Sequence, residues 1–244
     1  MELVTDAFED LSHALRVLLE ADLRANRYGL LNTDRAEAVG NIEMGLAAVF
    51  NAFHSLYDAL DKAESKSMLN WYECPELATI LILILRNARH HNQAKKVRTM
   101  YSFYAQEAKK LGSMEMYILV DFPPSEDGGD TFNVYLSWAD FQELISLPKK
   151  QTRLREATVD SVRSYITGGK FSDYAAYFEL DEERLFFNVV PLIVNAAIKL
   201  IPLIEPMVNP RSVESETYLS LFKDMCLIDT REHEVNCGPI AFMP

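Results

Sequence analysis

Cysteine is scarce in this chain of 244 residues, and Cys74, Cys226 and Cys237 form no CxxC pair. An odd number of thiols, far apart except for the last two, gives no reason to expect a disulfide framework and suits a reducing compartment, so a cytoplasmic location is expected. The opening residues, Met1-Glu2-Leu3-Val4-Thr5-Asp6, lack the basic start and apolar run of a secretory leader. Long hydrophobic runs are missing too. Phe186 to Val208 is interrupted by Asn188, Pro191, Asn195, Lys199, Pro202 and Glu205, and Ala78 to Leu85 is too short to cross a bilayer, so no membrane association is expected. No P-loop, GxGxxG, GxSxG or HExxH pattern is present. His233-Glu234 with Cys237 has a ligand-like spacing, but no third or fourth ligand accompanies it, so neither a metal nor a cofactor is expected.

The most informative absence is one of charge. The chain carries a net charge of -12 with a pI near 4.9, which argues against general attraction to polyanions. Yet between Glu76 and Glu107 there is no Asp or Glu at all. That gap holds Arg86-Asn87-Ala88-Arg89-His90-His91, then Lys95, Lys96 and Arg98. A local patch of this kind in an acidic protein points to a bound anion.

With 49% hydrophobic residues the chain can bury a substantial core. From Glu2 to about Arg24, Leu3, Phe8, Leu11, Leu15, Leu18 and Leu19 recur at helical spacing. Asn32-Thr33-Asp34 offers cap oxygens with Glu37 three residues after Asp34, ahead of a helix to about Lys62 with Ile42, Leu46, Val49, Phe53, Leu56 and Leu60 on its apolar face. Pro75 suits a first helical turn, and Glu76 to His91 reads as a third helix, apolar nearly all round. A fourth is expected from about Lys95 to Leu111, with Gly112 as its C-cap.

The composition then turns to β-formers. Met114 to Phe122 and Thr131 to Leu136 flank a Pro-, Gly- and Asp-rich turn, which predicts a β-hairpin over about 114–136. Ser137 with Asp140 predicts a capped short helix to about Leu147. Helices are expected again over Thr152 to Ile166, Asp181 to Ile204 and Val213 to Ile228, with an irregular tail from Arg231. The fold class is therefore mainly α: a helical bundle with one β-hairpin between two helical halves. The divisions are 1–112, 113–148 and 149–244, the last packing on the first, with a single domain as the alternative.

Arg followed by a polar residue, with His five positions after the Arg, resembles the R-x4-6-H motif of the HEPN superfamily, whose helical domains include many metal-independent ribonucleases. Here the motif reads Arg86, Asn87, three residues, His91. The resemblance covers the motif and the helical bundle around it, about residues 1–112. It implies His91 as the proton-transfer residue, Arg86 as the phosphate clamp and Asn87 as a residue that orients one of them. It also implies an RNA substrate, a homodimer that completes the site, and service as a toxin or phage-defence effector with an antitoxin or regulatory partner.

The residue types suit that chemistry. Metal-free RNA cleavage needs a group titrating near neutrality and a permanent cation on the crowded phosphorane, which His and Arg supply. Arg89, Lys95, Lys96 and Arg98 are the expected RNA-binding cations, and Tyr101, Phe103 and Tyr104 are placed either to stack bases or to fill the core. Residues five apart on an ideal helix point about 140° apart, whereas Arg86 and His90 share a face. Either the helix loosens before His91 or His90 is the working residue. The competing expectation is a non-catalytic helical module that binds protein or RNA, with the Arg-His segment capping a helix end.

Overall fold

Two long helices packed lengthwise set the frame of the computed structural model, which describes residues 2–63, 69–87, 97–107, 115–123, 132–152, 154–167 and 169–239. Helix α1 (Glu2–Asn26) buries Val4, Phe8, Leu11, Leu15 and Leu18 at three- and four-residue spacing, leaving Leu3 exposed. A left-handed Gly29, at φ 72°, opens the short α2 (Leu30–Thr33). Helix α3 (Arg35–Lys62) then starts on Asp34, whose side chain accepts from the Glu37 backbone N–H at 3.0 Å. The helix-helix seam is close because Gly45 faces α1: a Cβ there would stand 3.0 Å from Leu18 Cα.

Helix α4 (Pro75–Asn87) lies against α3 and is enclosed on its other sides by α8 (Glu156–Thr167) and α10 (Val190–Ile204). Leu77, Ala78, Thr79, Ile80, Ile82 and Leu83 are buried, as an all-round apolar sequence requires. Helix α5 (Met100–Glu107) follows, shorter in the described residues than the expected 95–111; Gly112 lies outside them.

The expected hairpin does not form. Strand β1 (Met116–Asp121) and strand β2 (Tyr135–Ser137) belong to one four-stranded sheet, but β3 (Leu185–Asn188) lies between them, and β4 (Glu234–Pro239) completes the order β2-β3-β1-β4. β3 runs parallel to β1, with Ile118 opposite Leu185 and Val120 opposite Phe187, and antiparallel to β2. All four β3 residues are fully buried, so the strand needs a hydrogen-bonded neighbour on each side, and it takes the central place that a hairpin would have closed. This same run was expected to be helical; a short, continuous apolar segment does not distinguish strand from helix by periodicity. The tail is corrected too, because β4 pairs antiparallel with β1 from Glu234 opposite Asp121 to Pro239 opposite Met116. Its sequence, Glu-Val-Asn-Cys-Gly-Pro, carries almost no strand propensity, and the pairing comes from β1.

Between β2 and β3 the chain forms α6 (Trp138–Ile145), α7 (Lys149–Thr152), α8, α9 (Phe171–Tyr177) and a 3-10 turn at Glu182–Arg184. This long crossover is what a parallel β1-β3 pair demands. At the carboxyl end of the parallel strands the buried Asn188 fixes the exit into α10. Its Nδ2 donates to Asp121 Oδ1 at 2.9 Å and Asn133 Oδ1 at 2.8 Å, and its Oδ1 accepts from the Val134 and Val190 backbone N–H groups. Helix α11 (Val213–Asp224) docks on α1 through a capping box of Ser212 and Ser215, with Ser215 Oγ donating to Glu9 at 2.6 Å. The protein is thus mainly α with a minor mixed sheet, one buried cluster runs through both layers, and among the described residues no helix is long and apolar enough to cross a membrane.

Candidate functional site

Two fixed bases bracket the cationic segment. The first is α4. Cys74 stands before Pro75 and its thiol donates to Glu76 Oε2 at 3.0 Å, while the Ala78 N–H returns to the Cys74 carbonyl at 2.8 Å. Burial and the adjacent Glu76 push the Cys74 thiol up to about 11, so it remains protonated at neutral pH. From this start α4 runs without a break in its helical backbone to Arg86 and Asn87, which fall in its last turn. Arg89, His90, His91, Lys95 and Lys96 lie outside the described residues.

The second base begins at the buried Val97 and centres on Arg98. The Arg98 Nε donates to Asp140 Oδ2 at 2.7 Å and Nη2 to Asp140 Oδ1 at 2.8 Å, a bidentate fork, and the Arg98 backbone N–H adds a third bond to Oδ2 at 2.9 Å. The Asp140 side chain is only 4% exposed and that of Arg98 22%. The guanidinium also lies over the Phe103 ring, 4.6 Å from its centroid. Asp140 therefore performs two tasks: its backbone N–H takes the Ser137 cap at 3.3 Å, as the spacing implied, and its carboxylate reaches 42 residues back to Arg98. Arg98, expected among the RNA-binding cations, is engaged by this ion pair and holds α5 to α6.

Residues after Arg98 are tied to both long helices. The Thr99 N–H donates to Glu43 Oε1 of α3 at 3.4 Å, and the Tyr101 hydroxyl donates to Asn26 Oδ1 of α1 at 3.2 Å. Asn26 Nδ2 in turn donates to Asp22 Oδ1 at 2.7 Å. Burial pushes the Asp22 carboxyl up to about 6, against the lowering effect of the Asn26 bond. Tyr101 is buried, and Phe103 packs edge-on against Phe186 at 5.3 Å, so these two aromatics belong to the core. The Tyr104 side chain lies outside the described residues.

His233, the other histidine of interest, is also satisfied by the protein. Its Nε2 donates to the Thr230 carbonyl at 2.9 Å, which leaves Nδ1 to accept from the Tyr174 hydroxyl at 3.0 Å. The ring packs edge-on against Phe122, Phe171 and Tyr174, and burial holds its pKa below the usual imidazole value. Both nitrogens are occupied, and among the described residues no group of three or more His, Cys, Asp or Glu side chains is arranged to hold a metal ion. His13 and His54 are exposed on α1 and α3. No known protein family, curated protein or solved structure matches the chain.

Sequence reasoning missed the Arg98–Asp140 fork and the Asp22–Asn26–Tyr101 chain. The residue spacings of 42 and 75 involved leave no local pattern to read. The only hint was an Arg within an acid-free run.

Proposed function

We propose that the chain is a metal-independent endoribonuclease of HEPN type. One observation carries this reading: Arg86 and Asn87 occupy the last turn of an enclosed helix, at the head of a cationic segment whose far end is fastened by the Arg98–Asp140 fork. The fold thus positions both flanks of the segment, and a phosphate-transfer site draws its rate from groups that are positioned in advance. In this mechanism His91 takes the proton of a ribose 2′-hydroxyl as its oxygen attacks phosphorus, or delivers one to the departing 5′-oxygen. Arg86 neutralises the phosphorane with a fork that stays charged at any working pH. Asn87 orients one of the two. His90 takes the place of His91 if helical geometry continues past Asn87, because it falls on the face of Arg86.

The proposal extends to a cytoplasmic homodimer in which two such segments face one another, acting on RNA as a toxin or defence effector under an antitoxin or other regulatory protein. Arg89, Lys95 and Lys96 remain as backbone-binding cations. The engagement of Arg98 by Asp140 favours a second reading in one respect, since it removes a cation from the RNA face and gives it to the fold; in that reading the protein is a non-catalytic helical module that binds protein or RNA. Cleavage of structured RNA in EDTA separates the two. Wild type cleaving to 2′,3′-cyclic phosphate ends, with activity abolished in Arg86→Ala and in either His91→Ala or His90→Ala, supports the nuclease. Intact RNA with every protein, or equal cleavage by all, transfers the case to the binding module.

A further inference from the structure

A cleft of 590 Å³ opens at the other end of α4, walled by the first turn of α4, the outer face of α8, α10 and the segment 227–231. Its volume falls in the range of small-molecule sites. The wall is fixed by Asn195 of α10, 1% exposed, which donates through Nδ2 to the Ile228 carbonyl at 2.8 Å and accepts through Oδ1 from the Ile228 N–H at 2.8 Å. The same Nδ2 donates to the Tyr165 hydroxyl oxygen at 2.9 Å, so the phenol enters the cleft with its own proton to give.

Hydroxyl groups dominate the remaining hydrogen-bonding capacity. Ser161 and Ser164, on the exposed side of α8, line the cleft and make no hydrogen bond among the described residues. Thr230 is 4% exposed; its carbonyl takes His233 Nε2–H, but its hydroxyl has no partner among the described residues. The Thr230 hydroxyl is reached by solvent and can exchange a water for a ligand hydroxyl.

Charge, by contrast, is already neutralised. Glu76 is paired with Lys199 at 3.4 Å and takes the Cys74 thiol, and Arg231 forks onto Asp229 at 2.7 and 2.8 Å. Each cation at the cleft is thus balanced by a carboxylate, so the lining offers an incoming charge no uncompensated counter-charge. Pro75, Leu227 and Ile228 offer an apolar surface between the hydroxyls. We propose that this cleft binds an uncharged, hydroxyl-bearing ring of the size of a sugar or nucleoside, its hydroxyls meeting Ser161, Ser164, Tyr165 and Thr230 and its ring face lying on Pro75 and Leu227. The site is independent of the nuclease reading, since it stands about 15 Å along α4 from Arg86.

The test is a titration of the isotope-labelled full chain, followed by amide shifts, with D-glucose, D-ribose, uridine and uridine 5′-monophosphate. The expected result is saturable shifts at 161–165 and 228–231 with a neutral member, and weaker binding of the monophosphate than of uridine. Response to glucose and ribose identifies a sugar ligand; response to uridine alone identifies a nucleoside. The Ser161→Ala/Ser164→Ala variant, exposed and so without cost to folding, should weaken binding about tenfold, as loss of one or two net hydrogen bonds implies. Thr230→Val should act in the same direction with an unchanged thermal midpoint. No cleft shifts from any neutral compound up to about 10 mM, tighter binding of the monophosphate, or undiminished affinity in the double-serine variant would each overturn the assignment.

Discussion

Asp140→Ala tests the fastening at the far base of the cationic segment. The substitution removes three acceptor contacts from Arg98 at 2.7, 2.8 and 2.9 Å, and leaves a guanidinium that is largely covered without its counter-charge. Deleting one partner of a buried ion pair costs about 3–5 kcal/mol; partial exposure of Arg98 places this case near the lower end, at about 3 kcal/mol. For a chain of this size that corresponds to a fall of about 6–12 °C in thermal midpoint. Loss of a first-turn acid in α6 accounts for at most about 1 kcal/mol, so the two causes differ in magnitude. A double-mutant cycle with Arg98→Met isolates the pair: in that background Asp140→Ala should cost about 1 kcal/mol, giving a coupling energy near 2 kcal/mol. A midpoint change under about 2 °C, or a cost unaltered by Arg98→Met, would refute the argument. RNA cleavage, where the wild type shows it, should fall in Asp140→Ala at temperatures well below the midpoint, because the segment loses its far anchor.

Glycine substitutions in α3 should separate by their surroundings. Gly45→Ala places a methyl 3.0 Å from Leu18 backbone and should destabilise by about 1–3 kcal/mol in urea unfolding, whereas Gly40→Ala meets nothing within 4 Å and should stabilise by up to about 1 kcal/mol. Asp22 has its folded pKa raised from 3.8 to about 6, so the folded state binds the extra proton and stability contributed by this group falls as pH rises from about 4 to 6. Asp22→Asn should remove that slope and match or exceed wild type at pH 7, checked by thermal midpoints across pH. Glu9 runs the opposite way: hydrogen bonds from Ser212, Ser215 and Arg211 outweigh its burial and lower its pKa from 4.5 to about 2. Its contribution is present above 4.5 and lost as pH falls towards 2, and Glu9→Gln should flatten stability in that window. His233 is held neutral, so its contribution is complete above the usual histidine range and declines below it; His233→Phe should reduce the decline between pH 6 and 5 in unfolding experiments.

Legibility in the sequence followed the range of each interaction. The Asp34 and Ser137 caps were readable because donor and acceptor are three residues apart, and the apolar faces of α1 and α3 because a 3.6-residue period survives one-sided burial. β3 was illegible for the complementary reason. Leu185, Phe186, Phe187 and Asn188 are buried on both faces, so the alternation that marks a strand is absent, and their partners at 118–120 and 135–137 sit tens of residues away. A turn rich in Pro and Gly between two β-forming runs then suggested the nearer pairing, although the fully buried strand had the stronger need for two neighbours.

The candidate site divides along the same line. Residue types in the acid-free segment were visible as composition, but what holds that segment was not, because the Arg98–Asp140 fork and the Asp22–Asn26–Tyr101 chain each join different helices. This has a consequence for reading charge in an acidic protein. Three cations, Lys95, Lys96 and Arg98, follow the Arg-His motif, and one of them, Arg98, is balanced by a carboxylate from beyond the gap; a run of sequence without acid is therefore not a surface without acid. Lys95→Ala and Lys96→Ala should weaken RNA binding with a reduced salt slope and leave the thermal midpoint in place, whereas Arg98→Ala should lower the midpoint first. If instead Arg98→Ala weakens RNA binding with the same salt signature and no loss of stability, its guanidinium belongs to the RNA face and the fork with Asp140 is not what fixes the segment.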